Sequence, residues 1–123
     1  MIRRRRDHSL LLTDRAVADM AEINAYSMSK WGEATAFKYI SDIDAGLERI
    51  RRNPDLLIHV PEYHSALRFY RIRQHMLVCD VRDETIYVFA VIHTAMNIHD
   101  RLADLEPTFA REVEILHRRL WRS

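Results

Sequence analysis

The sequence predicts an α+β domain of order βααβββ, a helix hairpin packed on an antiparallel sheet, with an extra C-terminal helix. Three observations predict it. Apolar residues recur every three or four positions from Ala16 to Ile50, interrupted at Gly32. After Asn53 and Pro54 the period changes, and segments rich in Val, Ile, Phe and Tyr follow one another between brief polar turns. The chain has 123 residues, 48% of them apolar and 30% charged, with two glycines and three prolines, which bounds a single folding domain and excludes disordered and low-complexity classes.

Residues His8 to Leu12, HSLLL, form a short apolar run that predicts a first strand, and Thr13 and Asp14 are suited to cap a helix. Ala16, Met20, Ile23, Ser27 and Trp31 then form one stripe, with Asp19, Glu22 and Lys30 on other faces. Gly32 reads as a left-handed stop and Glu33 as the first turn of a second helix, whose stripe is Phe37, Ile40, Ile43, Leu47 and Ile50. So short a link between two amphipathic helices predicts an antiparallel hairpin. Residues 55–65 lack a period and read as a loop.

Ala66 to Arg73, Met76 to Arg82 and Thr85 to Thr94 read as a three-stranded antiparallel meander. Turns centred between Gln74 and His75 and between Asp83 and Glu84 sort the side chains into two faces. The first holds Ile72, Leu77, Cys79, Val81, Ile86, Val88, Ala90 and Ile92 and is expected to receive the hairpin. The second gathers Leu67, Phe69, Arg71, Arg73, Met76, Val78, Asp80, Tyr87, Phe89, Val91 and His93, apolar in the middle and cationic toward one end; a face of this kind calls for a cover. Ile98, Leu102 and Leu105 suggest a short helix. Beyond Pro107, Thr108 caps a last helix with Phe109, Val113, Leu116 and Leu120 on one stripe, which either folds back over the second face or packs on another chain. The division is a basic arm over 1–7, a domain over 8–106 and a helical extension over 107–123.

The formal net charge of +1 conceals an uneven distribution. Arg3 to Arg6 form one basic end and Arg118, Arg119 and Arg122 the other, while residues 7–117 hold 12 bases against 18 acids, a balance of −6. Such a body is poorly suited to holding nucleic acid through phosphate contacts. Cys79, the one cysteine, excludes an internal disulfide and lies on the core face as an inert thiol. No apolar run approaches the roughly 18 residues that span a bilayer, so a cytoplasmic location without membrane contact is expected. The seven histidines form no metal-binding spacing, and neither a metal nor a cofactor is expected.

Three words in this order, WGEATAFKYISDIDAGLERI from Trp31 to Ile50, LRFYRIRQHMLVCDV from Leu67 to Val81 and IHTAMNIHDRL from Ile92 to Leu102, resemble the ParE branch of the RelE/ParE toxins. The tryptophan and glycine that open the second helix, the leucine and arginine that open the second strand and the Val91, Ile92, His93 ending carry the resemblance, over about residues 8–105. The arginine run and the helix after Pro107 depart from it. The resemblance implies the toxin of a plasmid-stabilisation or chromosomal type II toxin–antitoxin module, one that poisons DNA gyrase by binding and is not itself an enzyme. It further implies a ParD-like antitoxin whose tail folds onto apolar patches: the second sheet face, through Leu67, Phe69, Val78, Tyr87 and Phe89, and the groove of the helix hairpin. A homodimer and a toxin–antitoxin hetero-oligomer are both compatible with it. Target contacts are expected from Arg71, Arg73, His75, His93 and Met96.

The alternative is the sister RelE branch, a ribosome-dependent mRNA endoribonuclease, which needs a base, an acid and a cation at the phosphate. Glu62, Arg71, Arg73, His75 and His93 are the candidates. Arg68 would lie about 20 Å from His93 at roughly 3.4 Å per strand residue and cannot share their site. The reading preferred here is a hydrogen-bonded strand-end His93 with its arginines solvated or antitoxin-paired.

Overall fold

The computed structural model of the protein describes residues 8–60, 67–95 and 102. Strand β1 (Ser9–Leu12) leads into helix α1 (Asp14–Trp31), then helix α2 (Glu33–Arg52), a 3₁₀ turn at Pro54–Leu56, and strands β2 (Arg68–Ile72), β3 (His75–Arg82) and β4 (Thr85–His93). The predicted order βααβββ is therefore observed. The sheet order is β1-β4-β3-β2, with β1 parallel to β4 and the other pairs antiparallel, so the sheet is mixed and not wholly antiparallel as expected. The meander leaves the outer edge of β4 free, and the hairpin is long enough to return the chain from that edge to β2 at the other. Among the described residues no helix is long and apolar enough to cross a membrane. The arm over 1–7 and the extension over 107–123 lie outside the described residues.

Thr13 caps α1 as expected: its hydroxyl accepts the Ala16 N–H at 3.1 Å and donates to the Phe89 carbonyl at 2.7 Å. Gly32 ends α1, donating its N–H to Met28, and also accepts the Ala36 N–H of α2. Its backbone, at φ 91° and ψ 171°, lies in a region open essentially to glycine alone, which allows the chain to reverse in a single residue. In α2 the buried stripe is Ala36, Ile43, Gly46 and Ile50. Fully buried Ile43 and Ile50 each contribute about 1.5–3 kcal/mol by leaving water. Gly46 is required by close approach, because a methyl group there would collide with Ile72 of β2. Two expected core positions face outward instead: Phe37 is 74% exposed and Trp31 53%. Phe37 lies on the outer side of the hairpin, and Trp31 borders the cleft beside the end of β4.

The register of the meander differs from expectation in two places. The first turn is centred between Arg73 and Gln74, with Ile72 opposite His75, which slides β2 by two residues and leaves its faces unchanged. Beyond the second turn β4 follows the expected pairing as far as Cys79 opposite Val88, and then a bulge intervenes, so that Val78 faces Ala90. One additional residue reverses the parity of everything after it. Ala90 and Ile92 consequently join the second face, and Val91 joins the hairpin core, contrary to their expected assignments.

The second face is interior. Leu67, Phe69, Val78, Tyr87 and Phe89 are each at most 4% exposed and form one apolar cluster with Ala90 and Ile92. Leu11, Met76, Val60 and Leu102 pack against it, and Ile58 pairs with Phe69 as an added bridge. The five residues expected to receive an antitoxin are thus buried in the chain's own core. The segment before β2, read as a plain loop, in fact contributes to the sheet edge.

Candidate functional site

Beyond Leu12 the chain leaves the sheet as α1, and the outer edge of β4 loses its strand partner. Two side chains of the Thr13 cap and α1 take over. Thr13 covers the Val88 carbonyl with its N–H and the Phe89 carbonyl with its hydroxyl, and Asp19 Oδ2 accepts the Val91 N–H at 2.9 Å. Asp19 was expected off the apolar stripe of α1 and is nonetheless only 9% exposed. Burial raises its pKa from the ordinary carboxylate value, while the Val91 hydrogen bond and the Arg15 guanidinium, 3.2 Å away, pull the other way.

At this end of the sheet His75 and His93 stand directly opposite one another, their rings edge to face with centroids 5.0 Å apart. Tyr39 and Asp42 of α2 complete the cluster; neither was singled out from sequence. Tyr39 sits one turn before Ile43 on the buried stripe, and that spacing is the signal that could have revealed it. Its hydroxyl oxygen accepts the Gln74 N–H at 3.2 Å, and the same hydroxyl is hydrogen-bonded to His75 Nδ1 at 2.6 Å. Ala95 N–H donates to His93 Nδ1 at 3.0 Å, a bond that requires that nitrogen to be bare. Burial, and then the neighbouring His93, lower the His75 pKa to about 4, so this ring is neutral at physiological pH. Burial likewise raises the pKa of the Tyr39 phenol, which stays a proton donor.

Arg73 lies over the Tyr39 ring, 5.5 Å from its centre, and pairs with Asp42 at 2.6 Å. Arg71 points into solvent, and its Nε donates to the Arg73 carbonyl at 2.9 Å, bracing the turn. The structure thus brings together Arg73, His75 and His93, with Arg71 alongside; Met96 and Glu62 lie outside the described residues. Among the described residues no group of three His, Cys, Asp or Glu could hold a metal. Cys79 is fully buried, and burial pushes its thiol well above the ordinary range.

Two grooves flank this cluster. A cleft of about 450 Å³ runs between α1 and the end of β4, walled by Ile23, Tyr26, Ser27, Trp31, His75 and His93. Tyr26 and Trp31 meet edge to face at its mouth, with Lys30 over both rings. On the outer side of the hairpin a shallower groove is lined by Met20, Ala21, Met28, Phe37 and Ile40. Phe37 and Met28 there are large, apolar and exposed.

A family model described as ParE toxin of type II toxin–antitoxin system, parDE, matches residues 10–98. A curated relative, Toxin ParE of Escherichia coli, is 33% identical over 95 residues, covering 76% of this chain and 92% of the relative. Among solved structures, the chromosomal ParDE toxin–antitoxin system from P. aeruginosa superposes with a TM-score of 0.63 at 18% identity, covering 70% of this chain and 95% of that one. The toxin–antitoxin complex RelBE2 from Mycobacterium tuberculosis gives 0.53 at 14% identity, covering 73% and 94%. These two likenesses concern the fold.

Proposed function

The chain belongs to the ParE toxin family of type II toxin–antitoxin systems, and from that premise we propose that it acts in the cytoplasm by binding DNA gyrase, without catalysis of its own. A ParD-like antitoxin neutralises it. The observation that carries the non-catalytic reading is the state of the polar cluster. A ribonuclease needs a base with a free lone pair and a cation free to meet the phosphate. Here His75 Nδ1 is hydrogen-bonded to the Tyr39 hydroxyl, His93 Nδ1 accepts the Ala95 N–H, and Arg73 is held against Asp42. A network satisfied in this way favours recognition over proton transfer. Arg71, Arg73, His75, His93 and Met96 are the proposed target contacts.

For the antitoxin, the closed second face redirects the proposal to the outer groove of the hairpin, where Phe37 and Met28 offer apolar surface to an amphipathic helix. Purified protein tests the whole reading. Inhibited supercoiling with accumulated cleaved DNA is the expected result, lost in the Arg73→Ala plus His93→Ala variant while antitoxin affinity persists. Messenger fragments on ribosomes, with gyrase untouched, would instead establish the endoribonuclease alternative.

A further inference from the structure

The parallel ladder between β1 and β4 stops short of the end of β4. In a parallel pair, one residue bonds the carbonyl before and the N–H after the residue it faces, as Ser9, opposite Thr85, bonds the Glu84 carbonyl. Past the bulge the outward direction on β4 is marked by Val91, whose N–H reaches Asp19, whereas Thr94 N–H turns inward to Gln74. Alternation then aims the Val91 carbonyl and the His93 N–H outward, into the cleft beside α1. Among the described residues neither has a hydrogen-bond partner. Both belong to one position that no described residue occupies, that of the residue that would face Ile92.

We propose that an extended segment of the target protein enters this cleft and prolongs the β1 ladder, one of its residues bonding the Val91 carbonyl and the His93 N–H. The inference rests on the reading of this end of the molecule as the target-binding end and adds the manner of binding. The cleft, about 450 Å³, accommodates an inserted side chain against Ile23 and the aromatic lip. Of the charged groups that line it, Asp19 holds Arg15, burial keeps His75 neutral, and Glu22 stands exposed on the α1 wall. The inserted residue meets an apolar floor of Ile23 and Val91, which favours an apolar side chain. Tyr26 and Trp31, 58% and 53% exposed, are rigid aromatic anchors at the mouth, the kind that dominates interfaces once covered. The outer hairpin groove uses other residues of α1, so an antitoxin seated there leaves the cleft open.

Hydrogen–deuterium exchange resolved at the His93 amide, measured on the full chain free, with gyrase holoenzyme and with its cognate antitoxin, tests this. Gyrase is expected to slow His93 exchange at least tenfold, and Tyr26→Ala and Trp31→Ala, both at exposed positions, to weaken gyrase binding about tenfold each without altering antitoxin binding. Gyrase bound with unchanged His93 exchange would overturn strand addition and leave the gyrase reading standing. Failure of gyrase to bind at all would overturn both. Protection of His93 by the antitoxin and not by gyrase would overturn the assignment of the cleft to the target.

Discussion

Asp19 does for β4 what a neighbouring strand would otherwise do, supplying an acceptor to a buried N–H from 72 positions away in sequence. Replacing it with alanine strands the Val91 N–H, and a buried donor left unmade costs about 1–3 kcal/mol. Asn keeps an acceptor and removes a charge that burial disfavours, so Asp19→Asn should cost clearly less than Asp19→Ala in urea midpoints. His75 supplies a pH signature. The folded chain keeps it neutral down to about pH 4, while the unfolded chain takes up the proton near the ordinary value of 6.5. The unfolded state therefore binds the additional proton across that window. Stability contributed by His75 is fully present above about 6.5, falls as the pH drops toward 4 and levels off below. The slope of thermal midpoint against pH between 6.5 and 4 should flatten in His75→Gln.

The hairpin depends on how two helices of 18 and 20 residues are joined by one residue. Gly32 has open space around its α-carbon, so a methyl group there would touch nothing. An L side chain is nevertheless strained at φ 91°, so Gly32→Ala should destabilise by about 1–3 kcal/mol, read as a shifted denaturant midpoint with an unchanged m-value. The cost at Gly46 has the opposite origin, contact with Ile72 in place of backbone conformation. The β4 bulge acts at this scale too, since one additional residue aligns Val91 with the α1 carboxylate and His93 with His75.

At the scale of the sheet, two apolar clusters occupy its two sides, and among the described residues the surfaces left for partners include the sheet end and the outer hairpin. Phe37 is the most exposed large apolar residue among those described, so Phe37→Glu should leave the thermal midpoint within about 0.5 kcal/mol of the parent. It should also abolish antitoxin binding by titration calorimetry, and growth arrest should then persist despite co-expressed antitoxin. Retained affinity would move the antitoxin off this groove.

What the sequence by itself determined is whatever depends on local chemistry: the Thr13 cap, the stop at Gly32, the end of α2 before Asn53, the change of period that announces three strands, and the family words strung along them. Arg73, His75 and His93 could be assembled from the meander alone, because hairpin pairing is a near-neighbour property. The tertiary structure alone decided the parallel placement of β1, the burial of Asp19, the inclusion of Tyr39 and Asp42, and the closure of the second face. Each of these joins residues far apart in the chain, and side-chain period carries no information about a distant partner. A bulge is the sharpest instance: Phe89 and Ala90 share one face of β4, and nothing in alternating apolar letters marks where the alternation skips.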